Sequence, residues 1–189
     1  MEAKDNPFIE FENHVEYVSF WPRAGAYIID GILVGVVAAT LNIINIIQFK
    51  SFAFYLFITL LTSLYKPYFE SKYSATLGKM MLKMKVTDYN FNPISVQRSL
   101  LRSALLIGPS LLYIPIYFLA FDNPNVLRTD GFLDFTQTLA MEYPIQSWIS
   151  NLVFLIVVVE IIVLLADSTK TQRALHDQIA KTFVIYDRN

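Results

Sequence analysis

Four long runs of apolar residues, separated by polar segments, dominate the chain. They cover residues 24–47, 51–69, 104–121 and 148–166. At a rise of about 1.5 Å per residue, roughly 20 apolar residues cross the hydrocarbon core of a bilayer as a helix. The pattern therefore predicts an all-α membrane protein, a single domain over residues 1–189 built on a bundle of four transmembrane helices.

Two of these runs depart from an uninterrupted helix pattern. The most apolar part of the second ends at Tyr65, so this span is short unless Lys66 snorkels and the aromatic residues after it extend the helix. The third contains Pro109 and Pro115, which remove two backbone donors and should kink it. The second run is the weakest of the four predicted spans.

The distribution of basic residues predicts an orientation. Of the 15 Lys and Arg residues, only Lys50 and Arg128 follow the first and third runs, so the other thirteen lie on the opposite side. Basic residues are enriched on the cytoplasmic side of membrane proteins. Both termini, including the tail 167–189, are therefore predicted to be cytoplasmic, and the loop 122–146 is predicted to face outward.

The polar segment after the second run predicts a short amphipathic helix. Leu77, Met80, Met81 and Met84 recur at helical spacing, and Ser74 is a candidate cap. We expect this helix to lie on the membrane surface. Ser95 should begin the helix that enters the third span.

The tail follows a similar plan, with Thr171 as a possible cap for a second amphipathic helix that carries Leu175 and Ile179. After that helix, residues 182–186 are rich in β-branched and aromatic side chains, which favours a strand. We predict that this strand pairs with residues 85–88 in a small two-stranded sheet on the cytoplasmic side of the bundle.

Composition supports the membrane assignment and narrows the chemistry. The chain has 54% apolar and 16% charged residues, against roughly 25% charged in an average soluble domain. The absence of cysteine excludes disulfides, thiolate metal sites and cysteine nucleophiles. No metalloprotease, nucleophile-elbow or dinucleotide-binding motif is present. We therefore expect no enzyme activity, no cofactor, no metal and no nucleic-acid partner.

Acidic residues inside the apolar runs are the candidate functional positions. Asp30 lies two helical turns after Arg23, and Glu160, on a span of opposite direction, should reach a similar depth. A charged side chain at the centre of a membrane helix costs about 2.5–3.5 kcal/mol, so such residues usually find a partner, take up a proton or bind an ion. Arg23, Asp30 and Glu160 could thus form an ion or proton site. Alternatively, Arg23 and Asp30 form a static pair, and Glu160 stays protonated.

His176 and Asp177 allow a catalytic or metal interpretation, but no second cluster of ligands accompanies them. The simpler interpretation is a contact at an interface, for example between Asp177 and Arg23 or a helix end.

Three blocks of sequence carry a family resemblance: WPRAGAYIID at 21–30, ATLGKM at 75–80, and RALHD at 173–177 followed by AKTFV at 180–184. Together they resemble the RDD family of bacterial integral membrane proteins. That family is named for one Arg and two Asp residues, which match Arg23, Asp30 and Asp177. The chain departs from the family pattern at Lys181, where the family often has Gly, and in its long outer loop.

The resemblance implies a multi-pass protein of the bacterial cytoplasmic (inner) membrane. Transport, including cation/proton exchange, has been proposed for some members of the family. We therefore expect a transporter, or a transporter subunit, for a monovalent cation or proton, acting as a homo-oligomer or within a larger membrane complex. The alternative is a non-enzymatic accessory or scaffold protein of a membrane complex.

Overall fold

The computed structural model describes residues 15–167, 169 and 171–187. The ends of the predicted domain, residues 1–14 and 188–189, lie outside the described residues. The elements in chain order are α1 Phe20–Phe49, α2 Phe52–Tyr73, α3 Leu77–Met81, β1 Met84–Asp88, α4 Val96–Ala120, α5 Pro124–Leu127, α6 Gly131–Glu142, α7 Ile145–Ala166, α8 Leu175–Ala180 and β2 Thr182–Tyr186.

Three helices of the described part of the chain, α1, α4 and α7, are long and apolar enough to cross a membrane. The second predicted span is not among them, so four membrane-spanning helices are not established. Its helix α2 is nevertheless longer than predicted, with 22 residues. It continues to Tyr73 because Pro67 and Glu70 are buried within the protein.

The helix α1 ends in a tight connection to α2. Lys50 adopts a left-handed conformation with φ of 44°, which stops α1. The Asn45 side chain donates to the Ser51 carbonyl and accepts from the Ser51 amide, both at 3.0 Å. Because the connection is so short, α2 returns along α1 in the opposite direction.

The helix α4 begins earlier than the predicted third span. Its first turn is capped by the Ser95 hydroxyl, which accepts from the Arg98 amide at 3.3 Å, as predicted for Ser95. The helix is interrupted at Leu112, between Pro109 and Pro115. This interruption lies where the two prolines predicted a kink, since each proline lacks the amide that would continue the helical hydrogen bonds.

The predicted two-stranded sheet is confirmed. Strands β1 and β2 pair in antiparallel fashion, with Met84 opposite Tyr186 and Asp88 opposite Thr182. The apolar side chains of this sheet pack with the start of α1, where the Val18 amide donates to the Val184 carbonyl at 3.0 Å. The sheet thus joins the middle of the chain, the tail and the segment before α1.

Two predicted helix caps were wrong. The residue before α3 is Thr76, whereas Ser74 has φ of 58° and ends α2. The Ser74 carbonyl accepts from the Val86 amide at 2.6 Å, so this turn holds β1 against the end of α2. The residue before α8 is Ala174 and not Thr171.

The loop 122–146 folds over one end of the bundle. Its helices α5 and α6 contribute Val126, Phe135 and Leu139 to an apolar cluster in which Phe135 is fully buried. Phe135 contacts Tyr117, and Tyr117 stacks on Tyr55 with ring centroids 4.0 Å apart. We call this region the aromatic end of the bundle; it consists of Tyr55, Tyr117, Phe121, Phe135 and the apolar side chains around them.

Candidate functional site: a buried charge network

The functional candidates meet at the opposite end of the bundle, around Asp177. This residue lies in the first turn of α8 and is completely buried. Its Oδ2 accepts from Nη1 of Arg23 at 2.6 Å, and its Oδ1 accepts from Nη1 of Arg102. The Ala174 amide also donates to Oδ2, at 3.2 Å. Asp177 therefore joins α1, α4 and the tail through charged hydrogen bonds.

Arg102 on α4 is the most connected cation of the network, with only 1% of its surface exposed. Its Nε donates to Glu70 of α2 at 3.0 Å, and its Nη1 donates to Thr182 of β2 at 2.6 Å. Its Nη2 lies 3.3 Å from Nε2 of His176. Every nitrogen of the guanidinium thus has an acceptor, which compensates for the loss of hydration on burial.

Glu70 also forms an ion pair with a second cation, Lys79 of α3. The Lys79 ammonium donates to Oε1 of Glu70, whose other oxygen binds Arg102. The Lys79 side chain is 12% exposed and that of Glu70 is 0% exposed. Burial lowers the pKa of Lys79 to about 8, although the neighbouring Glu70 charge opposes the shift. Lys79 therefore points into the protein, toward Glu70.

Glu160 of α7 joins the network through His176 of α8. The backbone amide and ring Nδ1 of His176 contact the two Glu160 carboxylate oxygens at 3.1 and 2.7 Å. Because the other ring nitrogen faces the Arg102 guanidinium, it accepts a hydrogen bond and Nδ1 carries the proton. Burial lowers the pKa of His176, and the charges of Arg102 and nearby Lys66 act in the same direction. His176 is thus the neutral member of the network.

The pKa of Asp177 is held well below its usual range. Burial alone would raise it, but the positive charges around the carboxylate, with Arg102 the strongest, outweigh that effect. The network then contains three cations and three carboxylates, and its charge balances. The cations are Arg23, Lys79 and Arg102; the carboxylates are Glu70, Glu160 and Asp177.

Asp30 lies in a separate hydrogen-bonded group. Its Oδ1 accepts from the Tyr65 hydroxyl at 2.7 Å and from the Gly78 amide at 2.8 Å. The Tyr65 oxygen accepts from the Leu77 amide at 3.0 Å. Asp30 and Tyr65 therefore satisfy the first two amides of α3, which have no partner within that helix.

Gly78 allows α3 to approach α1 this closely. A Cβ atom at this position would lie 2.2 Å from the Ala26 carbonyl oxygen and 3.1 Å from Cγ of Asp30. No side chain can occupy that space without moving the backbone of α3 away from α1. The glycine is therefore required for the bond between Asp30 and the Gly78 amide.

The structure brings only some of the predicted site residues together. Arg23 contacts Asp177, as the interface interpretation predicted, and Glu160 reaches the same network through His176. The alternative prediction, a static pair of Arg23 with Asp30, was wrong. The Arg23 guanidinium binds Asp177, while Asp30 binds Tyr65 and α3. The proposed ion or proton role of Arg23, Asp30 and Glu160 stays a prediction.

Sequence reasoning missed Glu70, Lys79 and Tyr65. Glu70 lies in the extension of α2 beyond the apolar run, where a lone carboxylate among aromatic residues was the available signal.

Within the described residues, no group of three His, Cys, Asp or Glu side chains is arranged to hold a metal ion. The 2.7 Å contact between His176 Nδ1 and Glu160 is short enough for a proton to pass between the two groups.

Comparison with known proteins identifies the family. The model of the RDD family matches residues 17–181, which include Arg23, Asp30 and Asp177. The chain is a member of the RDD family. No similar protein of curated function and no similar solved structure was found. For this RDD protein, the family match and the apolar helices together establish a membrane protein.

Proposed function

We propose that this RDD protein is a transporter, or a transporter subunit, that moves a monovalent cation or a proton, with Glu160 and His176 at the exchange site. The observation that supports this most directly is the 2.7 Å contact between Nδ1 of His176 and Glu160 of the apolar helix α7. Such an ionisable residue in an apolar span marks a candidate pathway for ions or protons.

The hydrogen bonds of His176 indicate how a proton would act. In the neutral network, His176 donates to Glu160 and accepts from Arg102. A proton that arrives at Glu160 removes the charge that holds Nδ1–H, and a proton at Nε2 repels Arg102 from the histidine. Either event disturbs the balance of charge around Asp177, so protonation on α7 is coupled to the positions of α4 and α8.

A cation would compete for the same carboxylate. Glu160 is 12% exposed at its side chain, so it is accessible in part, whereas Asp177 is fully enclosed by Arg23 and Arg102. Arg23 then acts on the exchange site indirectly, by holding Asp177 and α8 in place. Asp30 has a corresponding indirect role, because it positions α3 and hence Lys79.

For the topology, we propose that α2 is a fourth crossing and that the charge network faces the cytoplasm of a bacterium. The short connection after Lys50 and the bond between Asp30 and Tyr65 favour a second helix that returns beside α1. The thirteen basic residues that the sequence places on one side of the apolar runs favour the cytoplasmic orientation. A chain with so few crossings encloses little space, so the proposed transporter works as a homo-oligomer or in a larger complex.

The test is proton flux in vesicles that contain purified protein and an enclosed pH-sensitive dye. We expect an imposed sodium or potassium gradient to drive proton movement with the wild type. Glu160→Gln should abolish this flux, because the carboxylate can no longer ionise. Asp30→Asn keeps an oxygen that accepts from Tyr65 and Gly78, so it should retain the fold and lower the flux only in part.

The matched control is Glu142→Gln in α6, an exposed carboxylate that binds Asn125 at 2.8 Å at the other end of the bundle. It should leave the flux unchanged. Wild-type flux that survives in Glu160→Gln, or a wild type with no cation-dependent flux, would contradict the transport proposal.

A second candidate function is an accessory protein of a membrane complex. It is favoured by the apolar outer surface of α6, where Leu133 is 73% and Met141 81% exposed. Such side chains suit contact with another membrane protein. Replacement of both by Ser should release a copurified partner if this function is correct, and leave the flux intact if transport is correct.

A further inference from the structure

A cavity of about 260 Å³ lies between α2 and α4, and the mechanism proposed above does not use it. Six of its eight lining residues carry a hydroxyl or an ammonium group, although α4 is apolar enough to span a membrane. Its lining residues are Thr59, Thr62, Ser63, Lys66, Ser103, Leu106, Ile107 and Ser110. Ser and Thr are common where membrane helices pack together, so the case for a ligand depends on Lys66 and Ser103.

Lys66 provides a positive charge at the cavity and has no carboxylate in direct contact. Its natural partner one helical turn away is Glu70, but both oxygens of Glu70 bind Lys79 and Arg102. In the part of the chain that the structure describes, no carboxylate lies within 4 Å of the Lys66 ammonium. The Lys66 ammonium therefore lies beside the cavity without a direct ion-pair partner among the described residues.

Ser103 provides a second, independent observation. The residue is only 1% exposed, and its hydroxyl has no hydrogen-bond partner among the described residues. A buried hydroxyl without a partner costs free energy, so a ligand that supplies an acceptor to it would be stabilised. Since Ser103 lines the same cavity as Lys66, the two groups can bind one ligand.

We propose that this cavity binds the phosphate of an anionic phospholipid with a polyol headgroup. Lys66 would pair with the phosphate, and the Ser103 hydroxyl would donate to it. Thr62 and Ser110 donate to carbonyls of their own helices at 2.9 and 2.8 Å, so their oxygens remain free to accept from headgroup hydroxyls. Each part of the cavity thus matches one part of such a lipid.

A lipid fits this cavity better than free phosphate, which has the same binding chemistry. Leu106 and Ile107 form an apolar part of the wall, and both belong to the spanning helix α4. An acyl chain can pack there, whereas a free anion would leave these side chains without a contact. A bound lipid would also fill the groove between α2 and α4 and neutralise Lys66.

Native mass spectrometry of the detergent-purified full chain tests the proposal. Phosphatidylglycerol, phosphatidylcholine and inorganic phosphate are added in separate titrations. We expect the wild type to retain phosphatidylglycerol most tightly. Lys66→Gln should weaken that binding about tenfold, because a charge-assisted contact is lost. Lys66→Arg should restore most of it.

The matched control is Lys72→Gln, since Lys72 is an exposed lysine on the same helix that donates to the Tyr68 hydroxyl at 3.1 Å and lies near the Tyr73 ring. Its phosphatidylglycerol affinity should equal that of the wild type. Ser103→Ala, which removes an unpartnered oxygen and so leaves the fold intact, should weaken binding several-fold. Equal phosphatidylglycerol binding by wild type, Lys66→Gln and Ser103→Ala would overturn the site, and retention of inorganic phosphate in preference to lipid would overturn its assignment to lipid.

Discussion

The two ends of the helix bundle are closed by different interactions. At one end, Asp177 and Arg102 connect four helices through buried ion pairs and a strand through a hydrogen bond to Thr182. At the other, Tyr117 and Phe135 close the bundle with stacked rings and an apolar cluster. The charged end is therefore sensitive to protons and to the loss of any one partner, whereas the aromatic end depends mainly on shape and burial.

The strongest test of this contrast is Arg102→Met. It leaves Asp177 and Glu70 buried without their main cation, and breaking a buried pair in this way costs about 3–5 kcal/mol. The free energy of unfolding in detergent should fall by that amount. Arg98→Met is the control, because Arg98 is partly exposed and pairs with Asp88 at 3.3 Å, so it should change stability by about 1 kcal/mol or less. Equal effects would mean that the network does not hold this end together.

Gly78→Ala tests the contact of α3 with α1. The new Cβ would overlap the Ala26 carbonyl oxygen, so α3 must move, at a cost of about 1–3 kcal/mol. Lys79 should then lose part of its contact with Glu70. Gly108→Ala in α4 is the control, since a Cβ there meets nothing within 4 Å and should be neutral or slightly stabilising. Thermal unfolding of both variants measures the difference.

The charged end should respond to acid in two steps. His176 and Asp177 both have a pKa lowered by folding, so their contributions to stability are complete above their unfolded pKa values of about 6.5 and 4. Stability should fall as pH drops below about 6.5, by at most about 1.4 kcal/mol per pH unit for each proton, and fall further below about 4. His176→Gln should remove the first step and keep the second. A decline near pH 6.5 that persists in this variant would assign it to another group.

Tyr117→Leu should have the smallest effect. It removes the stacked contact with Tyr55 but keeps an apolar side chain, for a loss of about 1 kcal/mol. Because no charge is involved, the loss should be the same at pH 5 and pH 8. A loss that changes with pH would show that the two ends are coupled. Urea titrations at both pH values measure it.

The apolar pattern predicted three of the long helices well, because lipid-facing helices must be apolar along their whole length. It placed the second span less well, since α2 continues through Glu70, which is buried by protein and not by lipid. The antiparallel sheet was also predictable from the β-branched and aromatic residues of β2. Helix caps were less predictable, because Ser74 ends α2 and its carbonyl binds the Val86 amide of β1, a contact that is not visible in the sequence.

The sequence by itself determined that this RDD protein belongs in a membrane, that thirteen of its 15 basic residues fall in the segments on one side of the apolar runs, and that carboxylates occur within those runs. These properties depend only on the types of residue and on their spacing along the chain. Only the tertiary structure decided the partners: Arg23 with Asp177, Asp30 with Tyr65 and α3, and Glu160 with His176. The physical reason is that a buried charge binds the nearest complementary group, and the groups in reach come from segments up to 154 residues apart.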